Sequence, residues 1–577
     1  MGIHTMMKTF TSSSLFAASA LLVAICGAEA QTKQSAPAVE TKLAAGDLRR
    51  SGTIQFEVTC APAVREDFLT ALALLHSFFY EEARARFEDI AKRDPNCAMA
   101  HWGVAMTWYH PIWAPPTAEQ FEKGREAART AKKMSGGSAV ERGLIDAIAA
   151  YYEGDQAATA TGPVTQTCHG PRAHSFRAMV FKQALKRLRQ QHPDEVEVNV
   201  FYALSLLGTA LPSDETYANQ LQATAILEPL FEKHPDHPGI AHYIIHAYDY
   251  APLATRGLKA ARRYAEIAPW VPHALHMPSH IYSRLGMWKE SIESNLASVA
   301  AAREWAARVH GGATVTDDIH ALDYLAFSYL QTGREKAAGE IVEHVAKIQR
   351  FTEESEFAIG YAVGAIPARW TLERKRWSEA AELPLRHENV FKRFPAGEAH
   401  IQFARAIGAA RSGKLEAASA AVARLEQIRD SLKEDKGGKT QWWGDHAEMQ
   451  RLSAAGWMAK AKGDSATAEK LLREAAALED RMGSHPVTPG QILPAREQLA
   501  ELLAELGRPA DALAEFEASL KNYPNRFNAH FGAGRAAEKA GKPAVARKHY
   551  KHAIELAGEG DGRREELAIA RAFLAQP

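Results

Sequence analysis

The sequence predicts an all-α protein, a solenoid of stacked antiparallel helix hairpins, on three observations. From Arg65 onward the chain is rich in Ala, Leu, Glu and Arg, with apolar residues recurring at helical rather than strand spacing. No convincing alternating strand appears. Turns marked by Gly, Asp-Pro or Gly-Lys-Pro separate segments of about 12 to 18 residues, the length of one arm of a helical hairpin. At 577 residues the chain exceeds an ordinary domain. A repeat array avoids that limit, because its core grows along an axis.

The N-terminus reads as an export signal. Lys8 gives the basic start, residues 15–25 the apolar run, and Ala28-Glu29-Ala30 a small-residue cleavage site. The run is too short to span a bilayer. Residues 1–30 are therefore expected to be a cleaved signal peptide, with the mature chain starting near Gln31 in the periplasm or outside the cell. Residues 31–50 form a polar linker. No later apolar run reaches spanning length, so no transmembrane helix is expected in the mature chain. Basic and acidic residues balance at 69 each, leaving no electrostatic ground for a nucleic-acid partner. Past the signal, Cys60, Cys97 and Cys168 permit one disulfide, and sequence leaves the pair open.

Helices expected over residues 51–160 form the N-terminal part of the array. Residues 161–345 form a histidine-rich central region, and residues 346–577 the C-terminal array. The repeat is plainest at the end, where Gly507-Arg-Pro-Ala is followed 34 residues later by Gly541-Lys-Pro-Ala, with Pro524 between them. That period, with Gly closing one helix and Ala opening the next, is that of a tetratricopeptide repeat. Similar turns stand at Gly286, Gly333, Gly413 and Gly463. Two stretches break the pattern. Residues 156–170 are small and polar, a surface loop. Residues 485–494 hold three prolines and cannot be continuous helix. Such a segment is expected to cross the solenoid surface or lie in its groove, bringing His485, Arg496 and Glu497 with it.

Residues 234–280 hold seven of the 24 histidines in 47 positions, where an even spread gives about two. On a helix, His242, His246 and Asp249 fall at i, i+4 and i+7 on one face. Two imidazoles one turn apart can reach one ion, and a carboxylate on the next turn can ligate or orient them. Tyr243 stands where a zincin H-E-x-x-H places glutamate, which disfavours that protease chemistry. His273, His276 and His280 make a second row at i, i+3 and i+7, interrupted by a break expected at Pro278. His320 and Asp323 add a third pair, read as an imidazole with an orienting carboxylate. If consecutive hairpins stack side by side, the three rows face one groove. The bland alternative for each row alone is a hydrogen-bonded core or surface histidine. Nitrogen and oxygen donors without thiolate suit Zn, Fe, Mn, Ni or Cu. Secondary candidates are His76, read mainly as core among Phe78, Phe79 and Trp102, and His446 or Glu448 beside Trp442 and Trp443. Walker, G-x-S-x-G and Rossmann motifs are absent.

Five stretches carry a family resemblance: CAMAHWGVAM (97–106), HPGIAHYIIHAYD (237–249), PHALHMPSHIYSRLGMW (272–288), HALDYL (320–325) and HPVTPGQILPARE (485–497). Through them the chain resembles a group of exported bacterial tetratricopeptide-repeat proteins over nearly all its mature length. The resemblance implies a solenoid and export, and supplies no substrate or reaction. Two functional readings follow. In one, the histidine groove is a metal site for hydrolytic or redox chemistry. His242, His246, His273, His276, His280 and His320 are then ligands, and Asp249 or Asp323 ligates, orients or acts as base. In the other, the protein is a non-enzymatic scaffold whose groove holds a peptide or protein partner.

Overall fold

The computed structural model describes residues 50–577, apart from 113–114, 135, 159–170, 212–213, 353–355, 435–439, 484, 559, 562–563 and 577. The expected signal peptide, nearly all of the expected linker, Trp113 and Cys168 lie outside the described residues. Helices follow one another from Arg65–His76 to Glu565–Leu574, and among the described residues no strand forms. The only β-type pairing there is an isolated parallel bridge between Thr314 and Phe351. Helix Ala139–Ala158 runs three residues into the stretch expected to be a loop; its continuation, 159–170, is not described. No described helix is long and apolar enough to cross a membrane.

The turn glycines explain how the hairpins close. Gly286, Gly333, Gly413, Gly463, Gly507 and Gly541 all have φ between 66° and 86°. In that left-handed region a Cβ would be strained, so glycine ends one helix and lets the chain reverse into the next.

Burial separates the helices into two rows. Helix Thr316–Gln331 buries 13 of its 16 residues, whereas its partner Glu335–Lys347 buries three of 13. Helix Pro395–Arg411 buries 14 of 17 and Leu415–Lys433 only five of 19. The first helix of each hairpin is thus covered on both faces, and the second keeps an amphipathic outer face. Two features cover the inner helices. The array closes on itself: Trp288 Nε1 donates to the Asn525 carbonyl at 2.7 Å, and Asn525 Nδ2 to the Gly286 carbonyl at 3.1 Å. Arg526 pairs with Glu373 at 2.6 Å, and Arg564 with Glu335 at 3.0 Å.

The second feature is the proline-rich stretch 485–494. It is extended or turned rather than helical, as its prolines require, and Val487, Ile492 and Leu493 are buried. It runs along the inner helices, where two buried guanidinium groups claim its carbonyls. Arg284 donates to the Thr488 and His485 oxygens at 3.0 and 3.1 Å, and Arg369 to the Gly490 oxygen at 2.8 Å. At the other end of the chain Cys60 and Cys97 form the disulfide, tying the extended N-terminal segment to the start of helix Ala98–Trp108.

Candidate metal centre

Helix Pro238–Tyr248 carries His242 and His246 one turn apart on its inner face. The next inner helix breaks at Met277, giving Pro272–His276 and Pro278–Leu285, because Pro278 cannot donate the hydrogen bond that continuity needs. The break divides the second histidine row between two groups. His273 joins His242 and His246; His276 and His280 join His320 from helix Thr316–Gln331. Within each triplet the available ligand atoms lie within 4.8 Å of one another. The groups are neighbours, with the His273 and His276 ring centres 6.4 Å apart. Five of the six imidazoles are less than a tenth exposed, and His246 is half-buried at the mouth.

Hydrogen-bond bookkeeping fixes which nitrogens carry hydrogen. Asn295 Nδ2 donates to the Ser291 carbonyl at 2.7 Å, which turns its oxygen toward His276. His276 Nδ1–H donates to that oxygen at 2.6 Å. His280 Nδ1–H donates to Asp249 Oδ2 at 2.8 Å, and His242 Nδ1–H to the His76 carbonyl at 2.6 Å. In the neutral tautomers so defined, Nε2 of His242, His276 and His280 is a bare lone pair. Yet Nε2 of His276 and His280 face each other at 2.9 Å. His242 Nε2 faces those of His246 and His273 at 3.0 and 3.1 Å. His320 Nε2 is buried with no hydrogen-bond partner. Protonation is no remedy. Burial, reinforced by like-charged neighbours, holds His242, His246, His276 and His320 well below their usual range, as burial and the Arg284 guanidinium hold His280. In the second group the lone pairs of His276 and His280 thus meet with no hydrogen between them, an arrangement a cation would satisfy; in the first, a hydrogen on Nε2 of His246 or His273 can serve His242. Three nitrogens around one ion at ~2.0–2.1 Å stand about 3.3 Å apart, close to this spacing.

A third group, His76, Glu197 and His237, also lies within ligand distance, and the same bookkeeping sets it apart. His237 Nδ1 accepts from the Ile240 amide at 3.3 Å, so its Nε2–H donates to Glu197 at 2.8 Å. His76 donates to the other Glu197 oxygen at 2.8 Å and accepts from the Tyr243 hydroxyl at 2.9 Å. Every polar atom there has a matching partner. Its part is to hold His76, whose carbonyl orients His242. The cluster Cys60, Asp94 and Cys97 offers no thiolate, since both cysteines are in the disulfide.

The acidic candidates are placed differently from the helical-wheel expectation. Asp249 lies just past the helix end and turns to His280 and Arg284 rather than to His242 and His246, with Arg284 Nε 3.0 Å from Oδ1. Burial pushes its carboxyl up to about 6, against the pull of Arg284. Asp323 does not bond His320. Its Oδ1 is taken by Arg369, Oδ2 has no hydrogen-bond partner, and burial likewise raises it to about 6. Of the weaker candidates, His446 Nε2 lies 2.9 Å from Gln491 Oε1. His485 accepts from the Val487 amide at 3.2 Å against the Trp442 and Trp443 rings. Glu448 pairs with Arg429 and Arg451, and Glu497 with Arg526. None of these belongs to the two triplets.

The sequence patterns give no sign of Asn295, Arg284 or Arg369, and place Phe78 only in the aromatic neighbourhood of His76. Phe78 covers the first group, its ring centre 4.4, 5.5 and 5.8 Å from those of His242, His246 and His273. It holds φ at 55°, rare for an aromatic residue and a form of strain found at functional sites. Tyr324 covers the second group at 4.8 to 5.3 Å.

These inner helices and glycine turns define a tetratricopeptide-type α-solenoid with histidine groups inside it. The family model for the tetratricopeptide repeat matches residues 68–110 and 498–561. Among curated proteins no similar sequence is found. Solved structures similar to the chain include the Cut9–Hcn1 hetero-tetramer of the APC/C, at 12% identity, covering 88% of this chain and 95% of that one, with a TM-score of 0.28. Naa15/Naa10 bound to HypK is similar at 14% identity, 88% and 90% coverage and a TM-score of 0.26. The human IFIT1 dimer with PPP-AAAA is similar at 12% identity, 80% and 90% coverage and a TM-score of 0.38. The architecture rests on the helices themselves rather than on these likenesses.

Proposed function

We propose that this chain is an exported α-solenoid that binds two transition-metal ions and uses them for hydrolytic or redox chemistry. One ion sits on His242, His246 and His273, the other on His276, His280 and His320. The observation that carries the reading is the 2.9 Å approach of His276 Nε2 and His280 Nε2. Both Nδ1–H groups are committed to Asn295 and Asp249, so two lone pairs are pressed together beside the unpartnered Nε2 of His320. Asp249 acts as a positioning residue: it fixes the ring of His280 and raises its basicity, as carboxylates behind metal-bound imidazoles do. Three donors per ion leave a coordination position open for water or substrate. The Cys60–Cys97 disulfide supports the export reading, since such bonds persist in oxidising compartments.

The scaffold reading is less well supported at this place in the fold. The chain's own residues 485–494 already run along the inner helices there, held by Arg284 and Arg369. Metal analysis of untagged protein tests the proposal. About two ions per chain are expected, falling to one in His246→Ala and in His320→Ala. Protein that holds no metal and takes none up refutes it.

A further inference from the structure

We infer that the two triplets take copper as a pair of Cu(I) ions whose co-substrate is dioxygen. The inference rests on the two-ion reading above and adds the metal, its oxidation state and the small molecule it meets.

Charge favours monovalent ions. All six donors are imidazoles, neutral when they ligate, with no carboxylate or thiolate among them. Two nearby buried carboxylates are already matched one to one by buried guanidinium groups, Asp249 by Arg284 and Asp323 by Arg369. The remaining one, half-buried Asp317, stands 3.7 Å from His273 Nδ1, so the surroundings offer at most one negative charge, at their edge. Two divalent ions would place four positive charges in a region whose ligands are almost wholly buried, and uncompensated buried charge is expensive. Two monovalent ions halve that charge. Of the metals that imidazole suits, copper is the one with a stable monovalent state, and it heads the divalent affinity order as well.

The chain offers three imidazole donors to each ion, one fewer than a four-coordinate site takes, and the groups are neighbours along one broken helix, with His273 three residues before His276 and their ring centres 6.4 Å apart. A diatomic oxidant can bridge two such open positions. Each Cu(I) gives one electron. Dioxygen takes both, becoming peroxide with its O–O bond reduced from double to single and unbroken. No proton is required. The two Cu(II) ions then carry four positive charges against the two negative charges of peroxide, so the net charge of the centre is the same before and after. A buried neutral ligand set favours such a cycle, because the medium does not have to reorganise around a changed total charge. His246 is the one half-buried ligand, so the first group lies nearer solvent than the second.

The test uses the full mature chain, untagged and stripped of metal by chelation. Anaerobic titration with a Cu(I)–acetonitrile salt should load two ions per chain, silent in electron paramagnetic resonance. Air-equilibrated buffer should then cause uptake of one dioxygen per two coppers, measured with an oxygen electrode, and the signal should stay silent because the two Cu(II) ions are coupled through the shared dianion. His246→Ala and His320→Ala should each hold one copper and take up no dioxygen at this ratio, with unfolding checked by circular dichroism. If either variant fails to fold, Asn295→Leu serves in its place, leaving all six ligands but weakening the second group. Two zinc ions that Cu(I) does not displace, or two coppers that take up no dioxygen, would overturn the inference while leaving the two-ion reading intact. A chain that binds no metal overturns both.

Discussion

Asn295 offers the sharpest test of whether these imidazoles are ligands or core. It sits on helix Trp288–Val309, fully buried; its Oδ1 accepts from His276 Nδ1 at 2.6 Å and from the Ser279 hydroxyl at 3.3 Å, while its Nδ2 donates to the Ser291 carbonyl. Asn295→Leu keeps the volume roughly constant and removes the acceptor. Without metal, the buried Nδ1–H of His276 loses its partner, a cost of about 1–3 kcal/mol. With metal, the ring is free to turn and its Nε2 is less basic, and loss of such a partner typically weakens binding about 10–100-fold, or ~1.4–2.8 kcal/mol. Asn295→Asp separates the two roles. It keeps an acceptor at the same place and adds negative charge behind the ligand, so metal affinity should return to the original level or above it. Competition titration against a chromophoric chelator measures the affinities, and thermal melts of metal-free protein measure the stability. If Asn295→Leu lowers the melting temperature while both ions bind as before, Asn295 merely packs and does not position His276 as a ligand.

Four further outcomes follow from other parts of the structure. Opening the disulfide with Cys60→Ser and Cys97→Ser releases a cross-link spanning 37 residues, worth about 4 kcal/mol by loop entropy, and hydrogen exchange should rise around the start of helix Ala98–Trp108. Arg369→Met strands the buried Asp323 and should destabilise the array by about 3–5 kcal/mol; adding Asp323→Asn should recover the part due to the stranded charge but not the lost hold on the Gly490 carbonyl, read by denaturant melts. Burial raises Glu479 from 4.5 to about 8, so the folded form holds a proton that the unfolded chain releases. Its stabilisation is complete below about pH 4.5 and is lost as pH rises to 8, by up to ~5 kcal/mol; Glu479→Gln should flatten that stretch of the melting profile. Finally, metal at a hundredfold excess over Kd should stabilise the protein by ~2.7 kcal/mol for each ion bound, about 5 kcal/mol for two, and a chelator should reverse the shift in melting temperature.

Much of this architecture was legible in local sequence. Gly507 and Gly541 mark hairpin turns because a left-handed residue is a local requirement, and Pro278 breaks its helix because the missing N–H is a local fact. The histidine rows were visible for the same reason: periodicity places side chains on a face. What periodicity does not carry is the geometry between helices. Periodicity puts His273 with His276 and His280, yet the break at Met277 sends it to His242 and His246. The i, i+3 spacing pairs Asp323 with His320, but Arg369, 46 residues away, claims it. Glu197 and His76 meet across 121 residues, and Trp288 and Asn525 across 237. No short-range pattern encodes those separations. Asn295 left no trace at all, since a lone asparagine in an Ala-rich helix looks like a surface residue until its partner is known.

The closure of the array and the centre inside it are connected. An open solenoid exposes its inner helices along a groove, and a row of neutral imidazoles there would be wet and free to turn. Here helix Thr316–Gln331 is covered on one side by its outer partner, while residues 485–494 lie along its inner face. Burial does two things at once. It holds His276 and His320 neutral, which ligation requires, and it denies their lone pairs the water that would satisfy them. The resulting misfit is local, and a solenoid tolerates it because stability is summed over many hairpin interfaces rather than drawn from one core. The two buried ion pairs then take on a structural logic. Arg284 and Arg369 each bind a carboxylate of the inner helices with one edge and a carbonyl of residues 485–494 with another. Neutralising either carboxylate would therefore loosen the cover and the histidines together, and residues 485–494 and the ligands behave as one unit.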